Sequence, residues 1–213
     1  ARHWTAYATW PMPDRIAFAI VAVWLLASAL LVPARMLGDA GEYLLMGESL
    51  VRHFTPDARP ADIVALADKL QRQGTPLNFA PMLEIYFEAS DTRLYCYHFW
   101  GYSLVATPAK VLLRVAGWHD VRALQVTNAL LFLLTVHQVL SARSFARNTR
   151  RVLAAILVLS PVAWYVLWPH PEAACASGVL LALLWSREGR HVPAVLAASL
   201  ATMQTPPLIL LVA

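Results

Sequence analysis

Charge is what this sequence has least of. Only 14% of its 213 residues are Asp, Glu, Lys or Arg, where soluble domains carry roughly a quarter. Between Ile16 and Val32 there is no ionisable residue at all. At about 1.5 Å per residue that run spans roughly 26 Å, the thickness of a bilayer's hydrocarbon core. Acids are absent from the whole stretch between Asp120 and Glu172. There are only two cysteines, Cys96 and Cys175, in unlike surroundings. That excludes a disulfide framework and predicts two free thiols. No internal repeat and no low-complexity tract occurs. The small-residue cleavage pattern of a secretory leader is missing after the first run, where Pro33, Ala34 and Arg35 lead into a polar, acidic helix. The net charge of +4 does not point to nucleic acid, because the arginines cluster in short loops beside apolar segments. There they serve membrane orientation.

What is present is 59% hydrophobic residues and a mean hydropathy of +0.53. The expectation is an all-α integral membrane protein with about five transmembrane helices. After the first run, the candidate spans are Ala123–Leu140, Val152–Trp168, Ala173–Trp185 and Val192–Ala213. Ala123–Leu140 carries Gln125, Asn128, His137 and Gln138, so it should face protein rather than lipid. Phe99–Gly117 holds Pro108, Lys110 and Arg114 and is read as an amphipathic helix lying along the interface. With that choice the amino terminus, the loop Ser141–Arg151 with its four arginines and the loop Ser186–His191 all face the cytoplasm.

The expected organisation is therefore a cytoplasmic amino terminus and first span (1–34), an outer loop (35–98), an interfacial helix (99–120) and spans two to five (121–213). The outer loop is periplasmic in a bacterial host. It carries nine of the thirteen acids against six Lys and Arg. Within it Pro60–Gln73 predicts a short helix, with Pro at its start, Ile63, Leu66 and Leu70 on one face and Gly74 after its end. Glu84–Asp91 is a strand or a loop.

The chemistry-bearing residues begin six positions after Pro33. Asp39 and Glu42 are three apart, on one face of a helix expected over 40–53, with Tyr43 beside them. Near a low-dielectric boundary a carboxylate needs a cation or hydrogen-bond donors to stay ionised, and Arg35 is within one turn. The same spacing also fits an Asp39 N-cap completed by Glu42 as a capping box.

Here the sequence resembles a family. "GDAGEYLL" after the first span is similar to the acidic first-loop motif of the GT-C membrane glycosyltransferases that use polyprenyl-phosphate donors, such as the family-39 protein mannosyltransferases and the lipid A aminoarabinose transferases. In order, "YHFWGYSLVATPAKVLLRVAG" resembles the family's juxtamembrane helix and "WHDVRALQVTNALLFLLTVHQVL" its second span. "NTRRVLAAILVLSPVAWYVLWPHPEAACASGVLLALLW" resembles the third and fourth spans, and "LAASLATMQTPPLILLVA" the fifth.

The resemblance implies an inverting enzyme of the inner membrane, multi-pass, with membrane lipid and a lipid-linked sugar donor as its partners. Asp39 would be the general base on the acceptor, with Glu42 as its neighbour. Members of the family are longer, so the sequence is expected to be an amino-terminal part. Its acids are separated as Asp-Ala-Gly-Glu rather than adjacent, which leaves open which of the two is the base.

A departing lipid phosphate needs positive charge. The outer side offers Arg35, Arg52, His53, Arg93, His98, Lys110 and Arg114. Arg93, His98 and Lys110 are favoured, with Glu172 and His170 at the outer turn before the fourth span lining the same cavity. Each has a plainer role open to it. His98 fits an aromatic belt, Lys110 and Arg114 can snorkel to headgroups, Arg93 can pair with Asp91, and Glu172 can cap its helix. A divalent metal held by Asp39, Glu42, His98 and Glu172 has no ligand spacing in its favour. The rival functions are a non-catalytic membrane subunit with partner subunits and, last, a transporter, for which the spans hold few ionisable residues.

Overall fold

The computed structural model describes residues 10–33, 36, 38–90 and 92–211. Arg35 and Asp91, named above as charge partners, lie outside the described residues. The described chain is mostly helical.

Helix α1 spans Met12–Leu31, with Pro13 in its first turn, where a missing N–H leaves nothing unsatisfied. Pro33 ends it by forcing Val32 into extended backbone (φ −64°, ψ 135°). Helix α6, Arg122–Ser141, lies at the centre of a bundle and packs against α1 and three other helices. These two, α1 and α6, are long and apolar enough to cross a membrane. The amides of α6 face protein: Gln125 donates to the Leu167 carbonyl (2.7 Å), and Asn128 to those of Trp168 (2.9 Å) and His170 (2.8 Å). Gln138 accepts from Trp185 and Arg190, each at 3.1 Å.

Val152–Trp168 is not one helix. Helix α7 runs Arg147–Leu159, Ser160 is extended (φ −78°, ψ 162°), and a short α8 covers Pro161–Tyr165. The cause is Pro161, which excludes the residue before it from helical backbone. Helix α9, Glu172–Arg187, and α10, His191–Gln204, form a hairpin, and Pro206 turns the chain into a 3-10 helix, Pro206–Leu211. At one end of the bundle Arg151 pairs with Asp14 (2.8 Å) and Glu188 accepts from the Ser144 N–H (2.7 Å). The start of α1, the α6–α7 loop and the α9–α10 turn therefore sit together. At the other end Arg122 donates to the carbonyls of Ala29 and Val32.

The α9–α10 contact runs through small residues. A Cβ on Gly178 would stand 3.1 Å from both the Ala197 carbonyl oxygen and the Ala201 Cβ. Gly178→Leu is expected to destabilise the protein by about 1–3 kcal/mol through overpacking. An unchanged unfolding midpoint for this variant in detergent would contradict the seating of the two helices.

A second layer lies over one end of the bundle. Helices α2 (Ala40–His53) and α3 (Pro60–Arg72) contribute Tyr43, Leu44, Leu45, Leu66 and Leu70 to a core shared with Tyr102 and Ala106 of α5, Gly101–Val115. Helix α3 matches its expected start and stop signals: the Asp62 carboxylate accepts the Arg59 N–H (2.8 Å), and Gly74 follows at φ +76°. The ambiguous segment before Asp91 divides into α4 (Ala80–Tyr86) and β1 (Phe87–Ser90). Strand β1 pairs antiparallel with β2, Arg93–Cys96, placing Phe87 opposite Cys96 and Ser90 opposite Arg93. Leu94 also exchanges two backbone hydrogen bonds with Ala58 (2.9 and 2.8 Å), which fixes β2 beside the end of α2.

Helix α5 is amphipathic with an unusual polarity. Its buried face carries Tyr102, Ser103 and Lys110, while Leu112 (71% exposed) and Val115 (85%) point away from the protein.

Candidate functional site

Asp39 occupies the N-terminal position of α2 without capping it. Its side chain makes no cap hydrogen bond. The Glu42 N–H, which a side-chain cap would take, donates to the Asp39 backbone carbonyl (3.0 Å), alongside the ordinary first helical bond from the Tyr43 N–H (3.3 Å). The Asp39 carboxylate, 34% exposed, faces His98 Nε2 at 3.7 Å. Glu42, one turn on, is only 1% exposed; its Oε2 pairs with His98 Nδ1 and accepts from the Cys96 thiol at 3.3 Å. The capping box that the spacing allows does not form, because Glu42 is taken by the hairpin.

The hairpin delivers these partners by simple alternation. Along β2 the side chains of Leu94 and Cys96 turn inward and those of Arg93 and Tyr95 outward. His98, two residues beyond Cys96, donates its backbone N–H to the Cys96 sulfur (3.4 Å). Arg93 therefore stands on the wrong face of the strand to reach the acids. It lies 3.7 Å from Asp57 and half its side chain is in solvent.

Gly38 completes the approach from the other side. It has φ +48°, and a Cβ there would sit 2.6 Å from His170 Cε1. Only glycine accommodates both the left-handed backbone and the imidazole. Glu172, exposed in the first turn of α9, contributes negative charge to the same region. Tyr43 feels all of this. Burial raises its pKa first, then Asp39, Glu42 and Glu172, so it remains a neutral phenol. Burial likewise pushes the Cys96 thiol up to about 12; the His98 N–H opposes this and Glu42 adds to it.

Lys110 is not part of this cluster, contrary to the sequence expectation. It is 3% exposed, donates to the Leu44 carbonyl (2.9 Å) and pairs with Glu48 (3.1 Å) and Asp120 (3.6 Å). Glu48 lies six residues along α2 from Glu42, about 9 Å in helix rise. The aliphatic stem of Lys110 reaches inward because two carboxylates are there to receive its ammonium group. Arg114 joins the same two acids, Arg52 pairs with Glu48 (3.0 Å), and His53 pairs with Asp62 (2.9 Å). Lys110, Arg114, Arg52 and His53 are thus committed to structural pairs with acids. Burial lowers the Lys110 pKa, and its two acids oppose that.

Burial alone would raise the pKa of Glu48, but Lys110 and Arg114 bring it from an ordinary 4.5 down to about 2. A carboxyl lowered on folding stabilises the protein above its unfolded value and loses that contribution as pH falls through the folded one. The loss here is on the order of 3 kcal/mol between pH 4.5 and 2. Unfolding midpoints measured across that acid range should fall steeply, and the slope should flatten in Glu48→Gln. An equal slope in both would contradict the pairing.

A cavity of about 280 Å³, almost wholly apolar, opens between α5, α6, α9 and α10, with Leu131, Leu181, Trp185 and Leu200 among its walls. Tyr102 and Gln204 form part of its lining. Gln204 accepts from the Tyr102 N–H (3.1 Å) and donates to the Tyr43 hydroxyl (2.9 Å). Tyr43, whose ring centroid lies 6.1 Å from that of His98, thus links the acid cluster to a residue in the cavity wall.

Of the residues singled out in the sequence, Asp39, Glu42 and His98 come together, with His170 against Gly38 and Glu172 nearby in charge. Arg93 and Lys110 do not join them. Sequence reasoning missed Cys96, whose signal was its place two residues before His98, and missed Glu48 and Asp120 as partners for Lys110. The metal set that the sequence did not favour, Asp39, Glu42, His98 and Glu172, is not the group brought together either: Cys96 stands with Glu42 and His98, their ligand atoms within 4.8 Å of one another. Comparison with protein-family models, with curated proteins and with solved structures finds no match.

Proposed function

We propose that this chain is an inverting membrane glycosyltransferase that moves a sugar from a polyprenyl-phosphate carrier to an acceptor at the outer face of the inner membrane. The observation that carries this reading is Asp39: an accessible carboxylate, released from capping, facing His98.

The membrane arrangement has five spans, namely α1, α6, α7 with α8, α9 and α10. Helix α5 lies along the interface, its apolar face to lipid and its charged face to the outer layer. Two features support this. The apolar surface of α1 and α5 is exposed where water would penalise it. The basic α6–α7 loop and the α9–α10 turn meet the start of α1 at one end of the bundle, as a shared cytoplasmic side requires.

In the reaction, Asp39 takes the proton of the acceptor hydroxyl as its oxygen attacks the anomeric carbon. The bond from that carbon to the carrier phosphate breaks, and the phosphate departs with the electron pair. Glu42 holds the His98 ring through Nδ1, which aims Nε2 at Asp39. His170 offers an N–H to the departing phosphate, a role that Lys110 is too deeply paired to fill. The isoprenoid tail occupies the apolar cavity.

The test is transfer of labelled sugar in membranes from cells expressing the protein, over a panel of polyprenyl-phosphate sugars. The Asp39→Asn, Glu42→Gln double variant should abolish product while remaining in the membrane. Undiminished transfer by the double variant would overturn the assignment.

A further inference from the structure

Glu42, Cys96 and His98 are a carboxylate, a thiol and an imidazole converging on one point from two elements. We propose that they form a binding site for a borderline-soft divalent cation of the zinc class, with Asp39 as the outer partner that orients His98. The proposal goes beyond sugar transfer and does not depend on it.

The donor set argues for the ion. Thiolate, imidazole and carboxylate are the three ligand types zinc takes, at roughly 2.0–2.3 Å. Hard cations such as magnesium and calcium prefer all-oxygen sites. Two ligands on a tetrahedral ion at those bond lengths stand about 3.3–3.8 Å apart, and the Cys96 sulfur lies 3.3 Å from Glu42 Oε2. His98 Nδ1 hydrogen-bonds the same carboxylate oxygen, closer than two ligands of one ion stand, so an ion enters by parting that pair; the three donor atoms lie within 4.8 Å of one another. Three protein ligands leave a fourth position for water or substrate.

The charges also balance. Binding displaces the Cys96 thiol proton to solvent, and the thiolate with the buried Glu42 carboxylate neutralises the two positive charges of the ion. His98 gives the lone pair of Nδ1 and keeps its proton on Nε2. That nitrogen points at Asp39, 3.7 Å away, in the carboxylate–histidine–metal order that fixes ring tautomer and orientation at metal centres. The ion would tie α2 to the hairpin. Beside Asp39 it would supply the positive charge that Lys110 and Arg114 commit elsewhere.

The experiment uses the whole chain, purified in detergent with a tag that binds no metal. Zinc should be retained at about one equivalent per chain. Cobalt exchanged into the site should give the near-ultraviolet band of thiolate-to-cobalt charge transfer. Cys96→Ser should remove that band and His98→Ala should weaken zinc binding at least tenfold, while Cys175→Ser changes neither. A measurement on the unaltered protein guards against misfolded variants: zinc should slow alkylation of Cys96 at least tenfold, and a chelator should restore it. Absence of stoichiometric metal, cobalt bound without the thiolate band, or alkylation of Cys96 indifferent to zinc would each overturn the proposal. Any of these with transfer still lost in Asp39→Asn removes the metal site alone. A stoichiometric metal in a protein without transferase activity removes the transferase alone.

Discussion

Asp39→Asn is expected to lower sugar transfer about 100- to 10,000-fold, the usual worth of a positioned general base, with little effect on folding. The expectation rests on how little Asp39 does for the fold. Its carboxylate makes no cap hydrogen bond, a third of it is in solvent, and only its backbone carbonyl serves α2. Asparagine has nearly the same volume and is as well tolerated at a helix start, so a loss of activity would belong to the lost base. Glu42→Gln should behave differently. Its carboxylate is buried against His98 and Cys96, so this variant should lose stability as well as rate. Transfer should be compared with unfolding midpoints for both variants. A pair of equal activity losses tracking equal destabilisation would contradict distinct roles for the two acids.

Glu48→Ala is expected to destabilise the protein by about 3–5 kcal/mol, as removal of one partner from a buried ion network does. Against a typical total of about 5–15 kcal/mol that is enough to deplete folded protein. The substitution strands the Lys110 ammonium, 3% exposed, with Asp120 and the Leu44 carbonyl as its remaining partners, and also frees Arg114 and Arg52 from one acid. Lys110→Met should be milder, because Glu48 keeps both arginines and a methionine fills most of the space. This contrast separates a structural lysine from a phosphate ligand. A phosphate ligand changed to Met would abolish transfer at full stability, and that result would contradict the burial described here.

Much of the helical layout was legible because the signals were local. An uncharged run closed by Pro33 reads as α1, and Pro60 with Gly74 brackets α3. The amides of Gln125 and Asn128 predict that α6 turns them toward protein, where they find the carbonyls after α8. The interruption at Ser160 is equally local, but the apolar run on both sides of Pro161 masks it. The β hairpin was harder: two four-residue strands are too short for periodicity to separate from loop.

The site was half legible for a related reason. Asp39 and Glu42 announce themselves by spacing on one helix, whereas their partners arrive from a strand end more than fifty residues later. Lys110 misled because charge in an amphipathic helix usually marks the wet face. On α5 the polar face is the buried one, and its acids come from α2 and from Asp120, separations that no sequence pattern encodes. Capping and chemistry compete for the same residues after Pro33, and only the position of His98 decides where the Glu42 carboxylate goes.

Release of free polyprenyl phosphate from a labelled polyprenyl-phosphate sugar, by the purified protein in liposomes supplied with acceptor lipid extract, tests the central claim most directly. Asp39 as the general base of the proposed transfer predicts acceptor-dependent release by the unaltered protein and none above background by Asp39→Asn at equal folded amount. Release at the same rate by both proteins, or by neither across the panel of donor sugars, would contradict it.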